Sequence, residues 1–140
     1  MVTALGVSAE LETDTITCDG NEIKRRPTVY ILLNKPGGLL TSCADDRGRR
    51  TVIDLVDEIG ERIFPVGRLD YNTTGVLILT NDGQFAQKMM RPSSSVIKTY
   101  LAKVRGAVSE KTVSRMRAGI TIEGVRYRFR SVRLERSTGK

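Results

Sequence analysis

The sequence predicts an α+β fold, in which helices pack on a mixed, largely antiparallel sheet. Two short stretches, residues 28–34 (TVYILLN) and 75–80 (GVLILT), are apolar enough to form strands buried on both faces. Between and after them lie segments with helical spacing and capping residues. A third stretch, residues 125–135, alternates arginine with apolar residues as an edge strand does. We therefore expect strands and helices in alternation, with residues 28–34 in the centre of the sheet.

The first half of the chain adds one hairpin and one helix to this plan. Residues 13–23 read as two strands around an Asp-Gly-Asn turn. A hairpin this small is not stable alone, so it has to pack against something else. Residues 52–59 place their apolar side chains on one helical face, with Thr51 as a cap and Gly60 just past the end.

The second half predicts two more helices and a half-buried strand. A short helix follows the Asn-Asp-Gly sequence at residues 81–83, and Pro92 stops it. We expect a strand at residues 96–104 and a helix at residues 109–119. In residues 125–135 the alternation slips by one position, which a bulge near Ser131 would explain.

The charge of the chain is concentrated near its end. The net charge is +7, yet residues 91–140 alone carry 13 Lys and Arg against three Glu. A localised basic field favours a polyanionic partner such as nucleic acid, through the release of counterions. A solvated basic face that keeps the protein in solution is the alternative.

Composition excludes several classes of protein. The chain has no histidine, and Cys18 and Cys43 lack partners at metal-binding spacing, so we expect no metal site and no histidine-dependent triad. No apolar run approaches the length of a membrane span, so we expect no membrane association. Two scattered cysteines fit the reducing cytoplasm.

One carboxylate stands out among the remaining catalytic options. Asp70 lies in a loop before the apolar stretch 75–80, and Arg68 is two residues away. A carboxylate acts as a nucleophile or a base, and a rigid strand behind a loop is a good platform for a reactive group. From spacing alone, an aspartate that only caps a turn is the more common case.

The sequence GRLDYNTTGVLILTNDG, residues 67–83, resembles the signature of the pseudouridine synthases that modify ribosomal RNA, the RsuA and RluB types. LLNKPGGLLTS at residues 32–42 and IKTYLAKVRG at residues 97–106 resemble two further motifs of that family, in the same order. VTALG followed by ETDTITCDG resembles the tail of the S4-type RNA-binding domain that precedes the catalytic domain in this family. The likeness covers nearly all of residues 1–140.

The resemblance implies that the enzyme isomerises specific uridines in ribosomal RNA to pseudouridine. It makes Asp70 the nucleophile that acts on a flipped-out base, whether at the sugar or at the uracil. Tyr100 would lie against that base, Arg68 would orient the RNA or the carboxylate, and Lys35 would contact phosphate. Core packing is the alternative for Tyr100, and a surface lysine for Lys35. No cofactor is needed, because the isomerisation is redox-neutral.

The same resemblance predicts the domain organisation. Residues 1–26 would be the remnant of the S4-like domain with its linker, and residues 27–140 the first part of the catalytic domain, ending before its final motif. Such a chain leaves a sheet edge and apolar surface open, so we expect it to self-associate. The activity of a chain that ends there is an open question.

Two other functions compete with the enzyme. A non-catalytic RNA-binding module of the same fold would show the same basic segment, but gains nothing from an acid facing phosphates. A DNA-binding or ribosome-assembly domain is less favoured, because the chain shows no helix-turn-helix pattern.

Overall fold

The computed structural model describes residues 6–10, 13–24 and 26–135. Its backbone separates into two compact units, Met1–Val96 and Ile97–Lys140. Both contain strands and helices, and every strand pair is antiparallel, so the predicted α+β class is correct.

The first unit begins with the expected hairpin. Strands β1 (Thr17–Cys18) and β2 (Asn21–Glu22) pair antiparallel. Asp19 and Gly20 form the turn between them with φ of 51° and 80°. Two consecutive positive φ angles are the mark of a type I′ turn, whose twist matches that of the flanking strands. Local sequence was therefore enough to predict this element.

The main sheet of the first unit has three strands. β3 (Tyr30–Lys35) and β4 (Phe64–Pro65) both pair antiparallel with β5 (Gly75–Thr80), which lies between them. The expectation that residues 28–34 form the central strand is wrong, because β3 is an edge strand and β5 is central.

Only one face of this sheet is buried. Its core consists of five aliphatic side chains, Leu39, Val52, Ile63, Leu77 and Leu79. On the opposite face, Leu32 of β3 and Val76 of β5 are 73% and 70% exposed. The prediction that both strands are buried on both faces is therefore wrong, and an apolar surface lies open.

Residues 51–60 wind into two 3₁₀ helices, Ile53–Leu55 and Asp57–Ile59, where one α-helix was expected. The Asp54 carboxylate accepts the backbone N–H of Thr51 at 2.9 Å and fixes a tight first turn. Val56 then leaves the helical region with φ of −132°. Gly60 ends the segment in the left-handed region, as predicted.

Helix α1 (Gly83–Met90) follows β5 directly, close to its predicted position. Asp82 caps it by accepting the backbone N–H of Phe85 at 2.9 Å. The Tyr30 hydroxyl donates to the same carboxylate at 2.6 Å, and this hydrogen bond raises the pKa of Tyr30. The rings of Tyr30 and Phe85 meet edge to face with centroids 5.1 Å apart, so α1 is tied to β3.

The second unit contains helix α2 (Glu110–Ala118) and a hairpin of β6 (Ile120–Ile122) and β7 (Val125–Tyr127). Ser109 caps α2 by accepting the backbone N–H of Thr112 at 3.2 Å, a role that serine commonly has at helix starts. The only buried residue of this unit, within the described range, is Val113.

Two strand predictions fail in the second unit. Residues 96–104 form no strand, and the strand predicted for residues 125–135 ends at Tyr127, so there is no bulge at Ser131. A strand requires a partner for its backbone groups, and β7 finds only β6. The alternating pattern was present in the sequence, but the described chain offers no further partner.

Candidate active site

Asp70 lies in the loop that joins β4 to β5. The loop turns at Asp70, whose carbonyl oxygen accepts the backbone N–H of Thr73 at 3.0 Å. Gly67 and Gly75 flank it with φ of 92° and 131°, a conformation that favours glycine. The glycines of the GRLDYNTTG sequence thus define the two ends of the loop that presents Asp70.

Lys35, the last residue of β3, holds this loop in place through hydrogen bonds to its backbone. It is fully buried, and its Nζ donates to four backbone carbonyls, those of Pro36, Asp70, Tyr71 and Thr73, at 3.0–3.2 Å. A buried ammonium is tolerated only where its protons are satisfied, and here carbonyl dipoles satisfy them. The prediction that Lys35 contacts phosphate is therefore wrong, because its donors are committed to the interior.

Two further residues of the segment after β3 secure the same loop. The Thr41 hydroxyl donates to the carbonyl of Leu69 at 2.7 Å and accepts its N–H at 3.3 Å. Gly38 donates its N–H to the carbonyl of Tyr71 at 2.9 Å. Backbone groups immediately before and after Asp70 are therefore fixed, which limits the positions that its side chain reaches.

Asp70 opens onto a polar cavity of about 470 Å³ within the first unit. Its wall includes Arg68, Tyr71 and, from the loop after Thr41, Asp45 and Arg49. A cavity of this size is within the range of small-molecule and nucleotide sites. Asp70 thus lies at the edge of a space large enough for a small ligand.

The loop of residues 42–50 is organised around Asp45. Its carboxylate accepts the backbone N–H groups of Arg47 and Arg49 at 3.1 and 2.9 Å. It also accepts Nε and Nη2 of Arg49 at 3.2 and 2.7 Å. These hydrogen bonds, led by the one from the guanidinium, lower the pKa of Asp45 to about 2.

The side chains of Asp70 and Arg68 remain uncommitted. In the described part of the chain, no hydrogen bond or ion pair reaches the Asp70 carboxylate or the Arg68 guanidinium. Both residues are exposed at the cavity. A nucleophile needs a free carboxylate, and an arginine without an internal partner is available to a ligand.

Tyr100, the remaining residue of the predicted site, belongs to the second unit. It is 64% exposed and lies in a segment without regular secondary structure. The alternative in which Tyr100 packs in a core with Ala102 and Val104 does not hold, since all three residues are exposed. Its ring is accessible to solvent.

Sequence reasoning assigned Lys35 to phosphate binding and missed its supporting role. That role was detectable, because strand periodicity places Lys35 on the same face as Ile31 and Leu33, which contact the core. The roles of Thr41 and of the pair Asp45 and Arg49 had no such signal, since their partners are set by loop conformation.

Two further findings concern metal binding and membrane spanning. The described residues include no group of three or more Cys, Asp or Glu side chains arranged to hold a metal ion. None of their helices is long and apolar enough to cross a membrane.

Comparison with known proteins gives a consistent result. The family model described as RNA pseudouridylate synthase matches residues 29–139. An uncharacterized RNA pseudouridine synthase of Aquifex aeolicus is 44% identical over an alignment of 141 positions, which covers 100% of this chain and 57% of the relative. Ribosomal large subunit pseudouridine synthase B of Bacillus subtilis is 44% identical over 123 residues, 88% of this chain and 50% of the relative.

A solved structure agrees with these relatives. The crystal structure of a pseudouridylate synthase superposes with a TM-score of 0.71 at 26% identity, covering 97% of this chain and 59% of that one. The chain therefore spans about half the length of the relatives it matches. The family model, the two relatives and the shared fold lead to one conclusion: this chain belongs to the RNA pseudouridylate synthase family.

Proposed function

We propose that this chain supplies the catalytic aspartate of an enzyme that isomerises uridine in ribosomal RNA to pseudouridine. The observation that carries the proposal is that Asp70 lines a polar cavity, with a carboxylate that has no partner among the described residues, on a loop held by Lys35 and Thr41. Family membership supports the reaction. The name of the Bacillus subtilis relative, a ribosomal large subunit enzyme, supports ribosomal RNA as the substrate.

The reaction rearranges bonds within one nucleotide. The bond between C1′ and N1 of uridine breaks, the uracil rotates, and a new bond joins C1′ to C5. C5 loses a proton and N1 gains one, so no electrons leave or enter. Asp70 forms a transient covalent bond, either with the sugar or with the base, and either route requires its ionised carboxylate.

The target uridine has to leave its stack to reach Asp70. Flipping costs a few kcal/mol and is easiest in loops and bulges of RNA. The exposed ring of Tyr100 would stack on the flipped base, and Arg68 would orient the RNA or the carboxylate. These roles rest on the family resemblance, and the exposure of both side chains supports them.

Substitution of Asp70 by Asn tests the proposal. The measured quantity is tritium release from ribosomal RNA labelled at C5 of uridine, using the complete protein. We expect Asp70→Asn to abolish release, because an amide is not a nucleophile, while RNA binding persists. Asp57→Asn, an exposed carboxylate in a 3₁₀ helix, is the matched control and should retain activity. Substantial turnover by Asp70→Asn would refute the assignment.

The rival proposal, a non-catalytic RNA-binding module, draws on the second unit. Residues 97–140 carry 12 Lys and Arg against three Glu. Under this alternative the unsubstituted protein binds ribosomal RNA and releases no tritium. The same assay therefore separates the two functions.

We also infer that residues 1–26 form the tail of an S4-like RNA-binding domain and that the catalytic domain begins at residue 27. Support comes from the start of the family match at residue 29 and from the pairing of β1 and β2 with each other alone. Deletion of residues 1–26 from the complete protein should weaken RNA binding and leave the thermal midpoint of the catalytic domain nearly unchanged. A large fall in that midpoint would place these residues within the catalytic domain.

A further inference from the structure

The wall of the Asp70 cavity contains a second cation besides Arg68. Arg49 lies in the loop of residues 42–50, and its side chain is 51% exposed. The side chain of its partner, Asp45, is only 8% exposed. The buried acid therefore acts as an anchor, and the arginine extends from it toward the cavity and the solvent.

The anchor fixes the orientation of the guanidinium. Nε of Arg49 bonds to Oδ2 of Asp45, and Nη2 bonds to Oδ1, so the two planar groups meet side by side. Asp45 is itself held by the backbone N–H groups of Arg47 and Arg49. The guanidinium of Arg49 consequently loses little further conformational freedom when it binds a ligand.

Some N–H donors of the Arg49 guanidinium remain available to a ligand. A guanidinium has five N–H donors, and Asp45 accepts only two of them, one from Nε and one from Nη2. In the loops and strands that the structure describes, Nη1 of Arg49 donates to no protein atom. Donors held in one plane and directed outward match the oxygens of a phosphate.

Stability alone does not explain this arrangement. An ion pair with an exposed arginine contributes little to folding, because solvent screens it. The residues that line the cavity also include the acids Asp46 and Asp70. An RNA strand that brings its uridine to Asp70 carries phosphates past these acids, and it requires directed donors to offset the repulsion.

We propose that Arg49, oriented by Asp45, binds a phosphate of the RNA backbone next to the uridine that enters the Asp70 cavity. This proposal rests on the proposed function for its ligand, an RNA strand, but not on turnover. Asp45 is a positioning residue, because it acts through Arg49.

The test measures binding in an Asp70→Asn background, where chemistry does not interfere. The probes are RNA nonamers with one central uridine, either unmodified or with a neutral methylphosphonate in place of the linkage on its 5′ or 3′ side. Fluorescence anisotropy gives the dissociation constants. We expect one neutral linkage to weaken binding about tenfold, as the loss of a charge-assisted contact does.

Coupling between the protein and the probe identifies the contact. Arg49→Gln should weaken binding of the unmodified nonamer by a similar factor and remove the penalty of that one neutral linkage. Arg49→Lys keeps the charge without the planar guanidinium and should restore only part of the affinity. Arg47→Gln, which changes a neighbouring exposed arginine of the same loop, should leave the penalty intact.

Asp45→Asn tests the positioning role in the same assay. Asp45→Asn should reduce the loss of affinity that the neutral linkage causes, because Arg49 is no longer oriented. The substitution also removes a negative charge from the cavity, and that change by itself would strengthen RNA binding. Equal penalties in the parent and in Arg49→Gln, or no penalty at either linkage, would overturn the proposal. A complete protein that releases no tritium would refute the proposed function and leave this phosphate contact standing.

Discussion

The two units of the chain differ in what they bury. The first has an aliphatic core under its three-stranded sheet and a fully buried lysine that ties β3 to the Asp70 loop. The second buries only Val113 among its described residues and exposes several arginines, of which Arg126 lies in the short hairpin. Residues 1–96 contain nearly equal numbers of acids and bases, 11 Lys and Arg against 13 Asp and Glu, whereas residues 97–140 carry a large basic excess.

Under the proposed function, this contrast separates two requirements of an RNA-modifying enzyme. A nucleophile has to be held within a fraction of an ångström, which a packed core and satisfied hydrogen bonds achieve. Attraction of a polyanion needs charge that stays in contact with solvent.

Removal of the Lys35 ammonium should give the largest loss of stability. Lys35→Met keeps an unbranched side chain, one atom shorter, but leaves the four carbonyls without their donor, which costs about 3 kcal/mol or more. Urea denaturation of the variant measures the loss. Lys88→Met, at an exposed position of α1, should change stability by less than about 0.5 kcal/mol. Equal effects of the two substitutions would show that the hydrogen bonds from Lys35 to the four carbonyls contribute little to stability.

Charge reversal in the second unit should affect RNA affinity instead of stability. Arg126 and Arg128 are exposed, and their change to Glu should weaken binding roughly tenfold or more and lower the salt slope by about two phosphate contacts. Titration of ribosomal RNA at several salt concentrations measures both. Arg62→Glu, an exposed site of the first unit, is the control. An unchanged salt dependence of RNA affinity would show that these arginines form a solvated face and do not contact phosphates.

The open face of the main sheet should make this chain self-associate. Leu32 and Val76 leave most of their surface in water, and burial of apolar area contributes about 25 cal/mol per Å² to association. Leu32→Lys should shift the chain toward monomer in sedimentation velocity, while Leu55→Lys should not. A chain that is monomeric at every concentration would contradict this expectation.

The smallest expected effect is a pH dependence at Asp45. Its folded pKa, about 2, lies below the ordinary value near 4, so its ion pair stabilises the fold above that value. This contribution is lost as the pH falls from about 4 toward 2. The difference in thermal midpoint between the parent and Asp45→Asn should therefore shrink over that window. Asp46→Asn, an exposed neighbour, should show no such trend.

Features with local causes were predictable from the sequence. Asp82 and Ser109 cap their own helices within three residues, and the Asp19-Gly20 turn closes its own hairpin. The motif around Asp70 and the basic segment at the end of the chain likewise required no tertiary information. Such features depend on contacts between neighbours in sequence, or on composition alone.

Tertiary structure decided the rest. The four carbonyls that hold Lys35 lie up to 38 residues away, and no sequence pattern encodes their convergence. The edge position of β3, the 3₁₀ winding after Thr51 and the lack of a strand at residues 96–104 depend on which backbone partners are within reach. The sequence by itself thus determined that Asp70 lies in a loop and that the loop carries a motif of this family. Only the fold determined that Lys35 and Thr41 hold that loop, because a buried hydrogen bond requires its acceptor to be brought into place first.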